Sequence, residues 1–198
     1  MKILELSISQ TIAEHYHRDA RDFSKRFDTL WEDQLHKTGR IKTFVDLVMG
    51  CECALKSHVF LGQRDQDPVD TYNKIRRAGH NVGKLSTLAS FMQERDTYEA
   101  IANDLERFSV FIRYSLDAYS TFFPALAERA DAPIHYSRTI GNNDWVLNVR
   151  KRLEVLIEVA CPELTGEVNP DICAILDHEL KMEEFMRTIA PRAVAVAR

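Results

Sequence analysis

Glu52 and Lys56 lie four positions apart in an apolar stretch, and the segment from Lys74 to Lys84 follows soon after. That segment crowds Lys74, Arg76, Arg77, His80 and Lys84 into eleven residues. Such a set suits contact with a phosphate, and helix ends meeting at the turn would add backbone N–H groups that favour an anion. The same residues also describe a solvated charged turn, in which exposed pairs stabilise little. Glu52 and Lys56 likewise suit either a mutually orienting pair beside the turn or a helix-surface pair contributing about 0.2 to 0.5 kcal/mol.

Gly79 to Lys84 reads GHNVGK and superficially looks like a phosphate loop. That motif needs four residues between its glycines, Ser or Thr after the lysine, and a strand before it. Three residues intervene here, Leu85 follows, and Thr71 to Ala78 reads as helix, which excludes a P-loop nucleoside triphosphatase. Cys51 and Cys53, two apart on a helix, point away from each other, as do His15 and His17. No metal site is expected, and no cofactor.

These residues need elements to hold them. Seven glycines and six prolines punctuate the chain, with apolar series at spacings of three and four between them, so the fold class is all-α. A first helix is expected from about Thr11 to Lys37, ended by Gly39, with Ile12, Tyr16, Phe23, Phe27, Leu30 and Leu35 inward. Before it, Leu4, Leu6 and Ile8 alternate, but a short extended arm would be an isolated strand without a partner. A second helix turns Phe44, Val48, Cys51, Leu55 and Val59 inward, stops at Gly62, and carries Glu52 and Lys56 on another face. Asp67 and Pro68 open a short helix to about Ala78, and Gly79, His80 and Asn81 break before another near Val82.

From Asp96 to Pro124 the residues Tyr98, Ile101, Leu105, Phe108, Ile112, Leu116 and Tyr119 predict one long helix at the centre of the bundle. The stretch from Arg129 to Asp144 loses periodicity, giving a long loop over 131–144. A helix through Leu147, Leu153, Leu156 and Ala160 follows, then a last one opened by Asn169, Pro170 and Asp171 through Ile175, Leu176, Leu180, Phe185 and Ile189. Residues 191–198 read as a tail. The expectation is a single domain over 1–198, a helical bundle of about seven helices around a long central helix.

The composition is that of an ordinary globular chain, 45% hydrophobic and 28% charged. A net charge of −4 excludes a uniformly basic nucleic-acid binder, so any polyanion contact must rest on a local patch. No apolar run approaches the ~20 residues that cross a bilayer, and the first residues lack the apolar core of a secretion signal. The expectation is therefore no membrane association and a cytoplasmic location. Cys51 and Cys53 sit in an apolar helical pattern and read as reduced core thiols.

The run GCECALKSHVFL, followed after a loop by GHNVGKLSTL, resembles the HEPN superfamily, in which a helix with a Glu-x-x-Leu-Lys core precedes a turn carrying His and a following leucine. Those positions are Glu52, Leu55, Lys56, His80, Leu85 and Leu88. The later stretch Ile112 to Phe123 is similar to the family helix that carries an Arg-Tyr pair, with Arg113 and Tyr114 in those places. The resemblance implies a helical bundle that dimerises and binds nucleotides or RNA, frequently in toxin, antitoxin or phage-defence systems. The resemblance thereby implies ligand-binding roles for Glu52, Lys56, His80 and Arg113, to which the local charge of the turn adds Arg76, Arg77 and Lys84, and it implies a homodimer and a cognate protein partner.

Nuclease members of the family set four to six residues between an Arg and the His that follows it. Their His shuttles the 2′-hydroxyl proton and their Arg stabilises phosphate charge without metal. Arg76 and Arg77 stand too close to His80 for that motif, while Arg129 and His135 have its spacing but flank Pro133 in a loop. His80, Arg129 and His135 are the catalytic candidates if the chain is a metal-independent ribonuclease. The expected function is binding of RNA or a phosphorylated ligand through the basic turn; the alternative is a non-catalytic homodimeric interaction module with no nucleic-acid role.

Overall fold

The computed structural model describes residues 3–4, 7–34, 36–122, 134–168 and 171–190. In chain order they form β1 (Ile3–Leu4), α1 (Ile8–Trp31), α2 (Lys37–Gly62), α3 (Pro68–Ala78), α4 (Val82–Leu88), α5 (Asp96–Leu105), a 3-10 turn (Val110–Arg113) and α6 (Ser115–Phe122). A second 3-10 turn (Tyr136–Arg138), α7 (Asn143–Leu164), β2 (Glu167–Val168) and α8 (Ile172–Ile189) complete them. The architecture is an all-α bundle. Among the described residues no helix is long and apolar enough to cross a membrane.

The centre of the bundle is α2, not the expected helix from Asp96 to Pro124. Phe44, Val48, Cys51, Leu55 and Val59 are buried as predicted, but so are Leu47, Ala54, His58, Phe60 and Leu61 on the remaining faces. A helix that is apolar nearly all round is surrounded by others. α1 and α7 pack along it, with Ser57 Oγ donating to the Ala13 carbonyl (2.8 Å) inside the α1–α2 contact.

The expected central helix is three pieces. Ser109 Oγ accepts from the Phe111 N–H (3.2 Å), a local bond that competes with helix propagation and starts the 3-10 turn instead. The apolar register slips at that break: Tyr98, Ile101, Leu105, Phe108 and Ile112 are buried, whereas Leu116 is 84% exposed and Tyr119 is also outside.

Other boundaries move for local reasons. Gly39 does not end α1, which stops at Trp31, and lies instead in the first turn of α2. Leu30 is exposed, while Trp31 is buried with its ring stacked on Phe27 at 5.0 Å. Leu147, Leu176 and Leu180, expected inside, are also exposed. The extended arm does have a partner, since Ile3 and Leu4 pair in parallel with Glu167 and Val168. Leu35, residues 123–133 and the tail 191–198 lie outside the described residues, and with them most of the predicted long loop.

Candidate functional site

The turn between α3 and α4 is fixed by three local devices. Asp67 Oδ1 caps α3 by accepting from Val69 N (2.8 Å) and Asp70 N (3.0 Å), with Pro68 in the first turn, as the sequence predicts. Asn81 Oδ1 accepts from Lys84 N (2.8 Å) and starts α4. Between them Gly79 adopts φ 60°, the single positive φ among the described residues. A Cβ there would meet nothing within 4 Å, so the backbone angle, not space, requires glycine.

This geometry swings His80 onto Glu52. The Glu52 side chain is 1% exposed, although the sequence places it on a face away from the apolar positions of its helix. Its carboxylate forms an ion pair with Lys56 Nζ, and His80 Nδ1 lies 3.0 Å from Oε1 and 2.9 Å from Oε2. An ionised carboxylate only accepts, so Nδ1 carries its hydrogen toward Glu52. The His80 side chain is 57% exposed, and its Nε2 has no hydrogen-bond partner among the described residues. A buried carboxylate thus orients an imidazole whose second nitrogen is open to a ligand, as a lone pair when neutral and as a donor when protonated.

Tyr16 joins this cluster from α1. Lys56 Nζ stands 5.5 Å from its ring centroid, and burial, reinforced by Tyr72, Cys53 and Glu52, pushes the Tyr16 hydroxyl above the ordinary tyrosine range. The phenol is therefore a neutral wall at working pH. Cys53 beside it is equally inert, its thiol pushed up to about 12 by burial. Sequence reading took Tyr16 as an ordinary core position; its spacing alone carries no sign of proximity to residue 56.

The cations of the turn divide. Lys74 Nζ is occupied by Gln66 Oε1 (2.6 Å) and Gln63 Oε1 (3.3 Å). Arg76, Arg77 and Lys84 are exposed and make no side-chain hydrogen bond or ion pair among the described residues. The expectation of two helix ends donating N–H groups is corrected. Arg76 and Arg77 sit in the last turn of α3, where the chain presents carbonyls, and the Lys84 N–H of α4 is spent on Asn81. In the first turn of α4 the Val82 and Gly83 N–H groups alone make no hydrogen bond among the described residues, so side chains would supply most contacts to an anion. Glu106, whose Cβ lies 3.2 Å from the point where a Gly83 Cβ would stand, flanks the turn with an opposing charge.

No family model, no curated protein and no solved structure matches the chain.

The remaining candidates stand elsewhere. Arg113 is exposed and donates to the hydroxyl of its neighbour Tyr114 (2.9 Å), its guanidinium 4.9 Å from that ring centroid, with no bond to the Glu52 cluster. His135 lines a different cleft, at the 3-10 turn Tyr136–Arg138, together with Arg107 and Arg138. Arg129 lies outside the described residues. Glu52, Lys56 and His80 are brought together; Arg113 and His135 do not join them.

Proposed function

We propose that this chain is a HEPN-like helical protein that binds RNA or a phosphorylated ligand at the α3–α4 turn. The observation that carries the reading is the His80 imidazole, braced through Nδ1 by buried Glu52 and, among the described residues, open at Nε2 on a turn where Arg76 and Arg77 are unpaired. Two guanidinium groups, joined by the His80 Nε2–H when the imidazole is protonated, give directed donors for phosphate oxygens. Support for Glu52 and Lys56 is indirect, since both are largely withdrawn from solvent and act by holding His80. Binding is favoured over cleavage, because a ribonuclease needs an Arg set against the same phosphate as its His, and Arg76 and Arg77 fall short of the family spacing.

Binding of a single-stranded RNA measured against salt tests this. Affinity should fall with salt at about 0.7 logarithmic units per phosphate contact, and an Arg76→Ala/Arg77→Ala variant should lose affinity and about 1.4 of that slope. No salt-dependent binding by the wild-type chain, or an undiminished slope in the double variant, refutes the proposal.

A second reading, a non-catalytic homodimeric module, rests on α8. Ile172, Leu176 and Leu180 recur every four residues on that helix and are all exposed. Leu176→Asp/Leu180→Asp should dissociate such a dimer in sedimentation, and a wild-type chain that sediments as a monomer rejects this reading.

A further inference from the structure

The cleft around His135 combines aromatic, apolar and cationic side chains. Phe108 and Trp145 form its aromatic floor, with ring centroids 5.8 Å apart, and Ile134 extends the apolar surface. Arg107, Arg138 and His135 stand at the rim of a volume of about 320 Å³. Clefts of that size hold a small organic molecule, with apolar walls supplying area and a few polar groups fixing orientation.

The rim is electropositive in effect as well as in name. Arg107 and Arg138 are exposed and form no ion pair among the described residues. Asp104, the acid of the cleft, is already neutralised: it pairs with Arg152 and accepts the indole N–H of Trp145 (3.3 Å). By contrast, the larger groove between α1 and α7, about 440 Å³, mixes Arg18, Arg21 and Lys25 with Asp22, Glu154 and Glu158. Its Arg150 is engaged by Asp28 at 2.7 Å and 2.8 Å, so it offers an anion little net charge.

The rim is also held in place. Thr139 Oγ1 donates to the His135 carbonyl (2.7 Å) and the Gly141 N–H to the Tyr136 carbonyl (2.7 Å). A Cβ at Gly141 would come within 2.9 Å of that same carbonyl oxygen, so glycine is what lets the loop close over Tyr136. A pre-set rim spares a ligand the cost of ordering it.

We propose that this cleft binds a small aryl anion, a flat aromatic ring bearing a carboxylate or phosphate. The ring lies on Phe108 and Trp145, and the anionic group meets the Arg107 and Arg138 guanidiniums, which match carboxylate and phosphate oxygens two at a time. The site is distinct from the α3–α4 turn. Phe44, on which both Phe108 and Trp145 pack, precedes Glu52 by about 12 Å of rise along α2.

Isothermal titration of the whole chain with phenyl phosphate, benzoate, inorganic phosphate and benzyl alcohol tests the assignment. At least one aryl anion should bind with Kd below about 1 mM, and inorganic phosphate and benzyl alcohol at least about tenfold more weakly. An Arg107→Ala/Arg138→Ala variant, altered at exposed positions and checked for an unchanged melting temperature, should lose at least about tenfold in affinity. An Arg21→Ala/Lys25→Ala variant, altered in the groove between α1 and α7, should bind as the wild type does. Absence of saturable aryl-anion binding, unchanged affinity in the folded Arg107→Ala/Arg138→Ala variant, equal affinity for inorganic phosphate, or loss in the Arg21→Ala/Lys25→Ala variant each overturns it.

Discussion

His58 should make the stability of this protein fall steeply in mild acid. Its side chain is fully buried between α2, α5 and α7, with Nε2 2.8 Å from the Leu156 carbonyl and Nδ1 2.7 Å from the Tyr98 hydroxyl. A carbonyl only accepts, so Nε2 carries the hydrogen and Nδ1 accepts from Tyr98, whose oxygen in turn accepts from the Met92 N–H at 3.0 Å. Every group in that chain is satisfied by the neutral ring, and a second proton would bury a cation with no acid beside it. Burial accordingly lowers the His58 pKa from 6.5 to about 4, the Leu156 carbonyl opposing and the His17 imidazole reinforcing the change.

Between pH 6.5 and about pH 4 the unfolded imidazole takes up a proton that the folded one refuses, so the unfolded state is favoured as pH falls. At about 1.4 kcal/mol per pH unit the loss across that window is about 3 kcal/mol, a large fraction of an ordinary domain's 5 to 15 kcal/mol. Urea unfolding of wild type and His58→Leu at pH 7.5 and pH 4.5 isolates it, because carboxylates titrate in both chains. The variant should be about 1 to 3 kcal/mol less stable at the higher pH, where the Leu156 carbonyl loses its donor. It should recover more than 2 kcal/mol relative to wild type at the lower pH. Parallel pH profiles for the two chains would refute the reasoning.

Glu52→Gln should destabilise the fold by about 3 kcal/mol in urea titrations, since it leaves the Lys56 ammonium, only 13% exposed, without its counter-charge; a loss below about 1 kcal/mol would mean that Lys56 escapes to water. The same variant should weaken RNA binding in proportion to its effect on His80, read as a shift of the imidazole resonances. Gly79→Ala should cost about 1 to 2 kcal/mol in thermal unfolding although nothing occupies the space its methyl would fill. Leu153→Ala, at a fully buried α7 position, should cost about 3 to 5 kcal/mol, and a loss near 1 kcal/mol would show that α7 collapses onto α2 to close the cavity.

Much of this could be read in the residues. The cap at Asp67, the inward stripe of Phe44, Val48, Cys51, Leu55 and Val59, and the break at Gly79, His80 and Asn81 all follow from local physics, because a cap bond or a helical period spans only a few residues. The split of the Asp96 to Pro124 stretch was not legible. Its apolar period runs unbroken through Phe108, and Ser109 by itself does not say whether its hydroxyl will serve a helix or end one.

By itself the sequence determined the all-α class and the clustering of charge between Lys74 and Lys84. The tertiary structure decided what those charges do. Glu52 is buried because α2 is surrounded on every side, a property of its neighbours and not of its own pattern. Only that burial, together with the backbone turn at Gly79, brings a carboxylate from residue 52 against an imidazole at residue 80 and leaves Arg76, Arg77 and Lys84 outside. Likewise Arg107 and Arg138 share a rim with Trp145 because α5, a 3-10 turn and α7 meet there. Contacts between residues far apart in the chain depend on how elements pack, and local residue preferences carry almost none of that information.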